Sequence, residues 1–158
     1  MLDNCKTKEE RWGGVNQLID RWLQERQELI VLYCSLSGAY AFSPNSNASM
    51  QKLRKFCQIL VDYVSAGHFE VYDQLLKEAE AFNDAQDELV AEIYPKISFT
   101  TEVALEFNDR YDSDEQCSQS IELLAKNLSR LGEVLVSRFD LEDRLIEALH
   151  NSHADLVA

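Results

Sequence analysis

Five glycines and two prolines serve all 158 residues of this chain. So few turn formers cannot supply the repeated tight reversals of an all-β domain, and they favour long helices with few connections. With 46% hydrophobic residues, the chain can bury a core and does not have the composition of a disordered segment. Its length suits one domain, residues 1–158.

Apolar periodicity draws the helices. From Glu9 to Ser37, Val15, Leu18, Ile19, Trp22, Leu23, Leu29 and Ile30 recur mostly at helical spacing. Gly13 and Gly14 are expected to fray its first turn, and Gly38 to stop it. Ser43 to Ser49 has the composition of a loop. Ser49 suits an N-cap for a second helix running to about Ser65. A third covers His68 to about Phe82, with Ser65-Ala66-Gly67 either a tight break or a weak point inside one helix. A fourth spans roughly Ala85 to Asp109, where Pro95 should kink or interrupt it. The last, Ile121 to Leu149, carries Leu124, Leu128, Leu131, Leu135, Phe139, Leu145 and Leu149, weakened but not ended by Gly132 and Asp140. Residues 1–8 and 150–158 are expected to fray, and 38–50 and 110–120 to form loops. Stripes of this kind need mutual burial. The expected fold is all-α: a bundle of four to six mostly antiparallel helices, the first and last long.

The formal charge is −13. Such a field repels phosphate and argues against direct binding of nucleic acid or of an anionic membrane surface. A basic protein surface is its natural complement. The alternative, that acidity serves only solubility, stays open at this point. The N-terminal stretch mixes charges without an apolar core, unlike a signal peptide. The longest apolar run, Leu29 to Cys34, is far too short to span a membrane. Cys5, Cys34, Cys57 and Cys117 form no C-x-x-C pair or zinc spacing. Free thiols in a reducing cytoplasm are the simpler expectation.

Chemistry-bearing patterns are sparse. Glu147-Ala-Leu-His150 has the Glu-x-x-His spacing of di-iron bundles, but no second copy exists and His68, His150 and His153 are the only histidines. His68 as a phosphoacceptor lacks a nearby lysine before Lys77, so a structural histidine beside a helix junction is favoured. No phosphate loop, dinucleotide fingerprint or nucleophile elbow is present. No catalytic residue, cofactor or metal is therefore expected. A helical metal-binding or phosphotransfer domain, or an adaptor for other regulatory proteins, remains the alternative to a single-partner binding module.

The segment Phe56 to Leu76 is the most informative. On a helical wheel, Phe56, Leu60, Tyr63, Val64, Gly67 and Val71 share one face, the expected core face. Asp62, Ser65, Phe69, Tyr72, Asp73 and Leu76 fall opposite. A solvent face that gathers aromatics and a leucine beside carboxylates often marks an interface. The other possibility is a helix buried on both sides.

These residues carry a resemblance. Phe56-Cys-Gln-Ile-Leu-Val-Asp-Tyr-Val-Ser-Ala-Gly-His-Phe69 closely resembles the regulator of sigma D and AlgQ family of bacterial anti-sigma proteins. So do Leu18-Ile-Asp-Arg-Trp-Leu23, Ile93-Tyr-Pro95 and the run from Leu131 to Ile146. Glu10-Arg-Trp-Gly-Gly14 looks closer to the AlgQ branch, which is associated with regulation of alginate and other secondary-metabolite genes. The likeness covers nearly the whole chain, except Gly38 to Met50 and Asp112 to Ser120. It implies an all-helical, non-enzymatic, cytoplasmic protein, expected to be monomeric. It further implies binding to region 4 of the primary sigma factor, a basic helix-turn-helix, which is thereby sequestered from core RNA polymerase and the −35 promoter element. The family's Asp, Ser and Phe that contribute to sigma binding match Asp62, Ser65 and Phe69. Tyr72, Asp73 and Leu76 are candidate extensions of that contact.

Overall fold

Thr7 starts the first helix. Its hydroxyl accepts the backbone N–H of Glu10 at 3.0 Å, satisfying one of the donors that a helix leaves unpaired at its N-terminus. The sequence signal, Thr7 followed three residues later by Glu10, has capping-box spacing. Thr7 and Lys8 thus belong to an ordered helix start rather than a frayed end. The computed structural model describes residues 7–37, 47–84, 86–113, 115–117 and 121–157. The stop expected at Gly38 lies outside them.

The α1 helix runs Lys8–Ser37, through Gly13 and Gly14 without a break. Next come α2, Asn47–Ala66, a π turn over Gly67–Val71 and α3, Tyr72–Ala81. These join without a gap into one long helix, so Ser65-Ala66-Gly67 is a weak point inside a helix and not a break. Ser49 is the third residue of α2 rather than its cap, and residues 47–50 are helical rather than loop. The α4 helix, Asp87–Tyr111, passes through Pro95 without interruption. Arg110 and Tyr111 therefore end a helix that the sequence reading stopped at Asp109, and residues 115–117 are helical as well. A 3-10 turn at Ile121–Leu123 leads into α5, Leu124–Leu149.

Cross-helix pairs give the topology. Along α1, Trp22 stacks on Tyr63 and Tyr33 packs on Phe56, so α1 and α2 run antiparallel. Trp12 meets His150, Arg26 meets Asp143 and Tyr33 meets Leu128, which makes α1 antiparallel to α5. Phe56 meets Phe107 while Tyr72 meets Tyr94, and Glu92 meets Arg144 while Tyr111 meets Asn127. Four long rods therefore alternate up, down, up and down around one core, as in an antiparallel four-helix bundle. Gly132 permits a close approach within it. A Cβ there would lie 2.1 Å from the Tyr33 hydroxyl, which donates to the Leu128 carbonyl at 2.8 Å.

The chain past α5 is not frayed. It forms a 3-10 turn, Asn151–His153, and a short helix α6, Ala154–Val157. His150 and His153 are buried.

Candidate interaction surface

The core face read from the wheel is the core face of the structure: Phe56, Leu60, Tyr63, Val64, Gly67 and Val71 are all buried. On the other side of the same rod, Asp62, Phe69 and Asp73 are exposed, and Ser65 and Leu76 are half-buried. Phe69 is the outlier, an aromatic ring with 78% of its surface in solvent, edge-on to the exposed His68. A large apolar side chain held open beside carboxylates is suited to bury itself in a partner.

Tyr72 departs from its predicted place. Only 5% of it is exposed, and it points into the bundle. The π turn is the cause: the Tyr72 N–H donates to the Gly67 carbonyl five residues back. An i→i+5 turn absorbs an extra residue, so side chains beyond it lag behind the α-helical wheel. Tyr72, at the margin of the stripe by α-helical counting, is carried into the interior. Gly67 makes room for this, since a Cβ there would lie 2.9 Å from Trp22 and 3.0 Å from the Tyr72 hydroxyl.

A buried polar band stands behind the stripe. Glu142 accepts the Tyr63 hydroxyl at 2.6 Å, the Tyr72 hydroxyl at 2.5 Å and Arg138 Nε at 3.2 Å. The Arg138 fork also reaches Thr100, Thr101 and the Tyr72 hydroxyl. Arg26 joins from α1 to Tyr63, Asp143 and Glu142. Burial pushes the Glu142 carboxyl up, against the pull of Arg138, Tyr63, Tyr72 and Arg26. Burial and the neighbouring carboxylate raise both tyrosine hydroxyls, which stay protonated and donate. This band ties Tyr63 and Tyr72, on either side of the π turn that carries Phe69, to α1, α4 and α5.

The sequence reading missed the band. Its signals are there in retrospect: Arg138 and Glu142 are spaced i,i+4 on an otherwise apolar α5 face. What periodicity cannot show is that Arg138 is fully buried.

Carboxylates from α1 adjoin the stripe. Glu25 is raised by burial and by the negative field of Asp62 and Glu28, so these three acidic groups share one region of the surface. That field favours an incoming cation.

Elsewhere the histidines are structural. Glu147 accepts from Asn151, whereas His150 turns inward to Glu78 at 2.5 Å, so the Glu-x-x-His spacing does not unite its two residues. His153 contacts Glu78 at 2.7 Å and Asp84 at 2.8 Å through its two ring nitrogens. Among the described residues no group of His, Cys, Asp and Glu has a metal-holding arrangement. Cys34 and Cys57 are free thiols, and burial pushes the Cys57 thiol up to about 12, which leaves it unreactive. No described helix is long and apolar enough to cross a membrane.

The family model described as "Regulator of RNA polymerase sigma(70) subunit, Rsd/AlgQ" matches residues 1–150. A protein named regulator of sigma D from Yersinia pseudotuberculosis serotype O:1b (strain IP 31758) is 38% identical over 148 residues, 93% of this chain and 88% of its own length. A regulator of sigma D from Yersinia enterocolitica is also 38% identical, over 93% of this chain and 89% of its own. Another, from Enterobacter sp. (strain 638), is 36% identical over 96% of this chain and 92% of its own. With a match of this length and identity, the chain belongs to the Rsd/AlgQ family of regulators of the RNA polymerase sigma(70) subunit.

Proposed function

We propose that this chain is a cytoplasmic, non-enzymatic regulator of transcription that binds the primary sigma factor through region 4 and withholds it from core polymerase and the −35 element. The observation that carries the reading is Phe69. It is 78% exposed on a segment anchored from beneath by Tyr72 and Gly67, with Asp62 and Asp73 exposed along the same rod. A preorganised aromatic loses little freedom on binding, so more of its burial is realised as affinity.

The partner's chemistry follows from the charge. Region 4 is basic because it must meet DNA phosphate, and a chain of net charge −13 attracts it at a distance, accelerating encounter. Asp62, reinforced by Glu25, pairs with an arginine or lysine otherwise used on DNA or polymerase. Ser65 contributes a hydrogen bond, and Phe69 fills an apolar pocket. Asp73 and Leu76 extend the contact along α3, while Tyr72 acts from the interior as support. One monomer occupying that surface excludes sigma's other contacts sterically, and no catalytic step is needed.

Titration of the purified region 4 fragment into the full chain tests this. Phe69→Ala should lose about 1–4 kcal/mol of binding. Unchanged affinity with an intact fold would place the interface elsewhere. Asp62→Lys should weaken binding and flatten its salt dependence.

A further inference from the structure

Beyond Leu76 the stripe leads into a groove. At the corner between α3 and α4 lies a cavity of about 490 Å³. Leu76, Ala79, Val90 and Leu149 give it an apolar floor. Glu80, Asp84 and Asp87 stand along its edge, and no basic residue lines it. Asp84 is already engaged, by His153 and Gln86. Glu80 and Asp87 are exposed and have no ion-pair partner among the described residues.

The groove meets the candidate surface on α3. Beyond the π turn, Asp73, Leu76 and Glu80 succeed one another at intervals of three and four residues along α3, which is how neighbours on a helix surface are spaced. Leu76 belongs to both the stripe and the groove floor.

We propose that this groove is a second anchoring site for the same basic partner, taking an apolar side chain flanked by a lysine or arginine on an amphipathic helix. Charge complementarity selects the occupant. An apolar side chain of the partner desolvates Leu76 and Val90, while its neighbouring cation meets Glu80 and Asp87 at the exposed edge. An acidic or neutral peptide would leave those carboxylates facing a like charge or no partner, which disfavours it. The site rests on the sigma-binding reading and adds to it a second point of contact beyond Phe69.

Calorimetric titration of the region 4 fragment into four forms of the full chain tests the proposal: wild type, Phe69→Ala, Glu80→Lys/Asp87→Lys, and the control Asp109→Lys/Glu122→Lys. The control makes the same charge change on exposed residues at the opposite end of the bundle. The groove variant is expected to bind at least about tenfold more weakly with a flatter salt dependence, and the control within about threefold of wild type. Leu76→Ala, which leaves the charge alone, is expected to weaken binding about fivefold. If groove and control variants fall equally, only the long-range field acts and the groove is not a contact. If the groove variant and Leu76→Ala bind like wild type while Phe69→Ala does not, the groove proposal is overturned and the sigma reading stands. Absence of binding by the wild type overturns both.

Discussion

Two glutamates are fully buried in this bundle, and they have chemically different partners. Glu142 at mid-bundle meets Arg138 and Arg26 together with the Tyr63 and Tyr72 hydroxyls. Glu78, near the end of α3, meets His150 and His153. Arginine keeps its charge at any pH a protein survives, whereas histidine titrates in the physiological range. The segment that carries Phe69 is thus braced by a fixed charge pair. The segment after α5 is tied down in part by His153, whose proton is held more tightly in the folded chain. Both polar clusters hold the long α2–α3 rod in place, and only the second should loosen as pH rises.

The largest effect should come from breaking the fixed pair. Arg138→Met leaves the Glu142 carboxylate buried without its closest cation and is expected to cost about 3–5 kcal/mol in urea unfolding. Removing both charges in Arg138→Met/Glu142→Met should cost less than the two single changes added together. Strict additivity would show that the pair does not act as a unit.

Tyr72→Phe comes next. It deletes one hydroxyl that donates to Glu142 and accepts from Arg138, at about 1.5–3 kcal/mol. It should also weaken region 4 binding indirectly, by loosening the π turn under Phe69. A loss of stability with unchanged affinity would separate the support from the surface it carries.

The histidine tie gives a smaller and pH-dependent effect. Burial lowers the His153 value, but its hydrogen bonds to Glu78 and Asp84 outweigh this and raise it above 6.5. A proton held more tightly in the folded state stabilises fully below the unfolded value and ceases to do so as pH rises through the raised folded value. Asp84 is held below its usual 3.8 mainly by the His153 hydrogen bond, so its contribution is present above that value and lost as pH falls through the lowered one. His153→Phe, which can keep the stacking on Phe82, should therefore cost about 1–2 kcal/mol near pH 6 and distinctly less near pH 8.5. An equal cost at both pH values would mean that the histidine serves by packing alone. Least affected should be Phe69→Ala, whose stability is expected to stay within about 0.5 kcal/mol of wild type because the ring is in solvent. On the proposed reading, its effect is expected in binding.

Much of the scaffold is legible in the chain. The apolar stripes mark the helices because burial of one face repeats with the helical period, and the stripe on α5 survives Gly132 and Asp140 without a stop. Ends are less legible. Ser49 has the chemistry of a cap, yet α2 already begins at Asn47. Residues 150–158 are expected to fray, yet His150 and His153 are buried against a carboxylate contributed from α3, more than seventy positions away.

The candidate surface divides in the same way. Asp62, Ser65 and Phe69 follow from helical period alone, since all three precede or lie within the π turn. Tyr72 lies beyond the register shift, and counting at a fixed period cannot anticipate an i→i+5 turn. By itself the sequence determined an acidic all-helical bundle and one amphipathic rod with an aromatic on the outer face, because these depend on composition and on contacts that repeat locally, while its resemblance to known proteins gave the family. Only the tertiary structure decided that Tyr72 points into the bundle, that Arg138 and Glu142 pair in the interior, and that a groove opens beyond Leu76. Each of these depends on which residues of distant helices meet, and the local pattern along one helix does not encode that.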